Sequence, residues 1–318
     1  MKKLFLFSMA AVGMLFASCS SDETVETSPR QDAIQFKGFV NKSTRATDLT
    51  TANFDAFKVW GIMKKGEQVG KPFVAKDVTL TGGTWTYGAP LVYWEKGYSY
   101  SFVALAPNNK YTFEAPADYQ AWGKVTFDNG TGKTDLVYAA KDAGNFAGGS
   151  CPSTVDLTFN HMLSRVRFQF TNGMLDGSQI VISDVKITNA YSKGVATLAE
   201  NLTGIAWEVN TPAALEFGTL DKLDPNASLA THHKYMIPHT DRYTVTFTVT
   251  RTHHGVVDTY NHTVTIPAFD MFAGKSYNLA ATLTAENINQ NEELCPIQFT
   301  ATVAGWEDYT GNILICNK

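Results

Sequence analysis

Residues 243–250 read Tyr-Thr-Val-Thr-Phe-Thr-Val-Thr, so an apolar residue stands at every second position with threonine between. Successive side chains of a β-strand point to opposite faces, and this alternation therefore gives one apolar face and one threonine face. The turn signal His253-His254-Gly255 follows, and apolar residues alternate with threonine again over 263–266. The two runs predict a β-hairpin that buries one face.

The same period of two recurs along most of the chain from residue 33 onward. Gly, Asn, Asp and Pro separate the runs, which is typical of a β-sandwich or barrel. No stretch predicts a long amphipathic helix, so we expect an all-β chain. The small, turn-rich stretch 141–153 predicts a domain boundary, with one β-sandwich domain over 33–153 and a second over 154–318.

The chain begins with Met1-Lys2-Lys3, followed by an apolar run from Leu4 to Ala17. A short basic region before about 7–15 apolar residues is a secretory signal, too short to cross a bilayer as a stable helix. Small residues then precede Cys19, which resembles a lipobox, where the cysteine thiol is acylated. We predict a signal peptide over 1–18, lipidation at Cys19 and a polar tether over 19–32. The alternative is an ordinary cleavage site beside a chance cysteine.

The charge pattern favours a cell-surface location over nucleic-acid binding. Asp22 and Glu23 follow the proposed lipidation site, and acidic residues there resemble the export signal of surface lipoproteins in some diderm bacteria. We therefore expect a lipid-anchored protein at the outer membrane. The net charge of −4 implies no basic surface, so we expect no nucleic-acid partner.

Four cysteines are present, and Cys19 is assigned to lipid. Cys151, Cys295 and Cys316 remain, and an odd count in an exported protein leaves at least one free thiol. Cys295 and Cys316 can pair only if their strands are adjacent, which the sequence does not decide. No Cys-x-x-Cys spacing occurs, so neither a zinc site nor a disulfide-dense scaffold is indicated.

No catalytic constellation is visible in the sequence. There is no Gly-x-Ser-x-Gly elbow, dinucleotide-binding glycine motif or phosphate-binding loop. The adjacent pairs His232-His233 and His253-His254 lie beside turn signals, and neighbouring strand residues point to opposite faces, which makes them poor chelators of one ion. We therefore expect a non-enzymatic protein without a metal or cofactor.

The tryptophans leave two interpretations open. They could pack in the core, which is the commoner role of aromatic residues inside strands, or form an exposed platform that stacks on sugar rings. The second interpretation corresponds to a surface glycan-binding lipoprotein. The four residues concerned are Trp60, Trp85, Trp94 and Trp122.

Five features in order along the chain resemble the fimbrillin-like proteins, the lipoprotein precursors of type V pili. The resemblance covers nearly the whole length, from the lipobox to a C-terminal strand and tryptophan. The features are Cys19 with its acidic tether, 34–39 with Thr44-Arg45-Ala46, 57–61, 157–166 and 297–306.

This resemblance implies two transthyretin-like β-sandwich domains in tandem and a mechanism of assembly. An arginine-specific protease would cut between Arg45 and Ala46, with Arg30 as the weaker alternative, and release the first strand. A strand from another pilus subunit would then fill the groove and supply backbone hydrogen bonds. The expected role is a structural or adhesive fimbrial subunit, with a host or bacterial surface ligand left open.

The resemblance also assigns residues to the two exchanging strands. The released strand would carry Ile34, Phe36 and Phe39, and the candidate donor strand would carry Ile313, Leu314 and Ile315. The donor is short beside a full donor extension, so the sequence leaves the position in the stalk, at the tip or at the anchor open.

Overall fold

The computed structural model describes residues 33–40, 49–115, 123–145, 154–198, 204–289, 296–305 and 311–313. All of them belong to one compact unit, residues 32–318. No helix in these ranges is long and apolar enough to cross a membrane.

The described residues form strands and one short helix, which confirms the all-β prediction. Their bounds are β1 Phe36–Val40, β2 Ala56–Lys65, β3 Gln68–Thr81, β4 Thr84–Tyr87, β5 Ser99–Ala106, β6 Tyr111–Glu114, β7 Lys124–Asp128, β8 Val137–Asn145, β9 Val155–His161, β10 Ser164–Asn172, β11 Gln179–Ala190, β12 Lys193–Leu198, β13 Ile205–Val209, β14 Ala213–Leu223, β15 Ser228–Ala230, β16 Lys234–Met236, β17 Asp241–His253, β18 Val256–Phe269, β19 Lys275–Leu283, α1 Ala285–Ile288, β20 Thr300–Gly305 and β21 Gly311–Ile313.

The first part of the fold is a seven-stranded sheet in the order β1-β9-β8-β5-β2-β3-β4. It curls so that its two edge strands approach each other, since the Phe36 ring of β1 lies 6.0 Å from the Tyr87 ring of β4. The curled face encloses a cluster of buried aromatic side chains, here called the aromatic core. Its members include Phe36, Phe54, Phe57, Phe73, Phe102, Phe159, Trp94 and Tyr100.

The other face of this sheet packs on a four-stranded sheet in the order β13-β12-β7-β6. Trp60 and Leu105 from the first sheet share a buried cluster with Phe127 and Leu198 from the second. We call these two sheets together the first sandwich.

The remaining strands form a second sandwich. One sheet runs β15-β10-β19-β20-β21, with β16 paired to β10, and the other runs β14-β11-β17-β18. The hairpin predicted from residues 243–250 is confirmed as β17 and β18, which pair Val245 with Val264 and Phe247 with His262. The apolar side chains of β17 are buried in the core between these sheets, as their alternation predicts.

The sheets do not follow the predicted division of the chain at 153/154. β9 lies after that point but pairs with β1 and β8 in the first sheet. β12 lies still further along and pairs with β7 over Lys193–Thr197. A cut at 153/154 would therefore pass through the first sandwich, because strands from both sides of it share two sheets.

Candidate functional site

Strand β1 closes one edge of the seven-stranded sheet through a single long pairing. It runs parallel to β9, with Phe36 opposite Val155 and Val40 opposite Phe159. The Val155 N–H donates to the carbonyl of Gln35 at 2.8 Å. Because the strand is short and lies at an edge, few backbone hydrogen bonds hold it.

The residues just before β1 are held from the opposite side. The Ile34 N–H donates to the Val92 carbonyl at 2.8 Å, and the Tyr87 hydroxyl donates to the Ile34 carbonyl at 2.8 Å. Ala33 forms an isolated antiparallel bridge with Tyr93. The first strand and the residues before it thus lie between β9 on one side and the end of β4 with residues 92–93 on the other.

The inward side chains of this segment are almost completely buried. Ile34, Phe36 and Val40 are 0%, 3% and 4% exposed. The Phe36 ring lies 5.0 Å from the Phe73 ring and 5.4 Å from the Phe102 ring, both edge-on. Complete burial of such side chains contributes roughly 1.5–3 kcal/mol each. Loss of the strand would uncover a long apolar groove in the aromatic core.

Phe39, the third residue predicted for this strand, points the other way. Its side chain is 39% exposed, and the Lys37 ammonium lies 5.4 Å from its ring centre. The inward position belongs to Gly38, which the sequence analysis did not single out. Strict alternation from Ile34 and Phe36 could have identified Gly38 and Val40 as the inward residues.

Gly38 is needed for space and not for backbone conformation. A Cβ built on it would meet Phe54 Cε1 at 2.8 Å, Phe57 Cε1 at 3.1 Å and Trp85 Cζ2 at 3.4 Å. Its backbone does not lie in the left-handed region. The aromatic core therefore comes close enough to the backbone of β1 to exclude a side chain at this position.

The chain is anchored on both sides of the predicted cleavage site. The Val40 N–H donates to Thr51 Oγ1 at 3.3 Å, and the Thr51 hydroxyl donates to the Val40 carbonyl at 3.0 Å. The Leu49 N–H donates to the buried carboxylate of Asp135 at 3.2 Å, and Asp135 also contacts the imidazole of His161 at 3.0 Å. The predicted site itself, Arg45 and Ala46, and the predicted lipidation residue Cys19 lie outside the described residues.

The candidate donor strand is partly described. Ile313 belongs to β21, which pairs antiparallel with β20 in the second sandwich, with Ile313 opposite Ala301. Leu314 and Ile315 lie outside the described residues, as do Cys151, Cys295 and Cys316. The structure thus places the start of the candidate donor in a sheet of its own chain.

The described tryptophans pack inside the fold. Trp94 and Trp60 are 1% and 8% exposed, and Trp85 lies 5.1 Å from the ring of Phe57. These three residues therefore do not form the exposed sugar-stacking platform, while Trp122 lies outside the described residues.

The described histidines are not gathered into a metal site. No group of three or more His, Cys, Asp and Glu side chains able to hold a metal occurs in the described ranges. His262 is buried, and burial lowers its pKa. The exposed His254 lies at the hairpin turn, as its sequence context predicts.

Comparison with known proteins points to one family. The sequence model of a family described as fimbrillin-like matches residues 44–306, and no curated protein matches the chain. A fimbrial protein of Bacteroides vulgatus has a similar structure, with a TM-score of 0.63 and 15% identity over 85% of this chain and 99% of that one. A Bacteroides eggerthii protein proposed to act in cell adhesion gives a TM-score of 0.51 and 13% identity over 87% of this chain and 96% of that one. At these identities the structural likeness shows the fold alone.

Proposed function

Because the chain belongs to the fimbrillin-like family, we propose that it is a subunit of a bacterial surface fimbria that assembles by strand exchange. In this proposal the chain is exported as a lipoprotein through Cys19 and reaches the outer membrane. An arginine-specific protease cuts after Arg45 and frees the downstream part from its lipid anchor. The protein then acts as a structural or adhesive element and not as an enzyme.

The observation that carries the proposal is the position of β1. It lies directly before the segment 41–48 that contains Arg45, and it pairs over its full length with one strand, β9. A cut after Arg45 would separate β1 covalently from the rest of the fold. Its departure would leave unpaired N–H and C=O groups on β9 above an apolar groove, which is a template for an incoming strand.

The position of the lipid anchor implies that cleavage precedes both release from the membrane and assembly. Cys19 stands before β1 and Arg45 stands after it, so one cut removes the anchor and the first strand together. Before the cut, β1 fills the groove, and the precursor cannot accept a partner strand there. The protease therefore couples release from the membrane to assembly, and the pilus partners are other subunits that carry a free donor strand.

The proposal is tested by treating the purified precursor with an arginine-specific protease. We expect a cut after Arg45, loss of the β1 fragment and the appearance of polymers in electron microscopy and size-exclusion chromatography. Arg45→Ala should remain uncut at this position and monomeric. Arg30→Ala is the matched control, because a cut at residue 30 leaves β1 attached, and this variant should polymerise like the unmodified chain.

Two results would refute the proposal. One is normal fibres from Arg45→Ala. The other is clean cleavage after Arg45 that yields only monomers at high protein concentration.

A further inference from the structure

We infer that the groove under β1 accepts only a strand with glycine at the position of Gly38, and that Gly311 of a second copy of the chain takes this position. The inference rests on the proposed strand exchange and adds the register of the incoming strand to it. One glycine of the donor strand then determines the register of that strand in the groove.

The wall of the groove at Gly38 has little freedom to move back. Phe54, whose Cε1 would lie 2.8 Å from an added Cβ, is 2% exposed. Its ring stacks 5.9 Å from the Phe57 ring and lies 4.7 Å from the Phe159 ring. Close-packed aromatic rings resist displacement, so a side chain at this position would have to shift several rings together.

The neighbouring inward positions set the rest of the pattern. Two residues before Gly38, the Phe36 ring fills the space between Phe73 and Phe102. Two residues after it, Val40 is 4% exposed. The groove therefore accepts an aromatic residue, then glycine, then a branched aliphatic residue, each separated by one outward residue.

This pattern occurs at one other place in the chain. Of the 24 glycines, only Gly38 and Gly311 have a Phe, Tyr or Trp two residues before and a Val or Ile two residues after. For Gly311 these residues are Tyr309 and Ile313. The match covers the three inward positions of β1 and ends there, since Glu307 stands where the first strand carries Ile34.

The segment that most resembles β1 in sequence lacks glycine at the position that corresponds to Gly38. Residues 297–303 share Ile, Gln, Phe and Val with residues 34–40, but Ala301 corresponds to Gly38. In the groove, its Cβ would meet the same ring at 2.8 Å. Ile297, Phe299 and Ala301 are also buried in the second sandwich. By contrast, within the described residues β21 pairs with β20 at three positions only.

The register follows from the pairing of β1 with β9. Gly38 lies opposite Leu157 and Phe39 lies opposite Thr158. With Gly311 at the first of these positions, Asn312 lies opposite Thr158 of the receiving copy. Thr158 and Asp156 both point outward from the core, so cysteines there can report the register without entering the groove.

Cysteine cross-linking in assembled fibres measures this register. In full-length precursor with Cys151, Cys295 and Cys316 replaced by serine, we pair Asn312→Cys with Thr158→Cys. The control pairs Asn312→Cys with Asp156→Cys, which lies two residues before Thr158 in β9. An offset of about 6.6 Å along the strand, combined with a spacing of about 4.8 Å between strands, separates these Cα atoms by about 8 Å, beyond the roughly 7 Å that a disulfide tolerates. After protease treatment and mild oxidation, we expect covalent ladders at least tenfold stronger from the Thr158 pair.

A second pair of variants tests the glycine itself. Gly311→Val should reduce polymer yield at least tenfold, since its side chain would meet the aromatic wall. Asn312→Val adds a similar side chain at the adjacent outward position and should assemble within twofold of the unmodified chain. Valine favours strands, so neither change weakens the donor by its backbone preference.

The outcomes separate the two claims. Fibres that cross-link through Asp156, or fibres that form normally from Gly311→Val, would overturn the register while strand exchange stands. If the unmodified precursor is cut after Arg45 and forms no polymer, the proposed function fails and the register fails with it.

Discussion

Two segments of the chain share four of their seven residues and have different structural roles. Residues 34–40 read Ile-Gln-Phe-Lys-Gly-Phe-Val, and residues 297–303 read Ile-Gln-Phe-Thr-Ala-Thr-Val. Phe36 and Phe299 are 3% and 4% exposed, each at the centre of a cluster of aromatic rings. The alternation thus specifies the same inward face in both sandwiches.

The difference between these segments lies in their neighbours. Among the described residues, β1 pairs only with β9, whereas β20 lies between β19 and β21 in its sheet. Of these two strands, the proposed mechanism cuts away only β1, because Arg45 lies five residues after Val40, where β1 ends. In this mechanism, an inward apolar face does not by itself make a strand exchangeable. The strand must also lie at a sheet edge and be followed by a cleavable segment.

The largest expected effect on the free energy of unfolding comes from removing the rings of Phe36 and Phe299. Phe36→Ala and Phe299→Ala should each destabilise the precursor by about 3–5 kcal/mol, since both leave a cavity in a packed core. After cleavage and removal of β1, only Phe299→Ala should still differ from the unmodified chain. Urea unfolding of precursor and processed protein checks this, and an equal effect of Phe36→Ala on the processed form would contradict it.

A smaller effect on the free energy of unfolding is expected from exchanging glycine and alanine at the corresponding positions Gly38 and Ala301. Gly38→Ala should destabilise the precursor by roughly 1–3 kcal/mol through overpacking against Phe54 and Phe57. Ala301→Gly should cost about 0.5–1 kcal/mol, mostly through backbone entropy. Both values come from urea unfolding. Where space is free, Gly→Ala usually stabilises a protein. A more stable Gly38→Ala precursor would therefore show that the rings of Phe54 and Phe57 can move aside.

Sequence patterns predicted the local structure well and the long-range pairing poorly. The alternation over 243–250 gave the hairpin, because cross-strand neighbours there are close in the chain. The partners of β9 and β12 were missed, since several strands offer equivalent apolar faces and only tertiary packing selects among them. At the candidate site, the apolar pattern predicted Phe39 as a strand residue of the groove, but the inward position belongs to Gly38, which is needed because it has no side chain.

The smallest expected effect concerns two buried histidines, one in each sandwich. His161 in the first sandwich contacts the carboxylate of Asp135, with its Nδ1 3.0 Å from Oδ2. His262 in the second stacks on Phe247, with ring centres 5.1 Å apart, and its Nε2 is buried without a hydrogen-bond partner in the described part of the chain. Burial disfavours the charged imidazole and lowers the pKa of His262.

Acid should therefore weaken the second sandwich through His262. Its folded pKa lies below the ordinary value of about 6.5, so the unfolded chain takes up the proton first as the pH falls below that value. Stability that is complete above about pH 6.5 is then lost as the pH falls towards the folded pKa. His262→Leu should flatten this part of the stability profile between pH 7.5 and 5, measured by urea unfolding. An acid response that persists in His262→Leu would place its origin at another group.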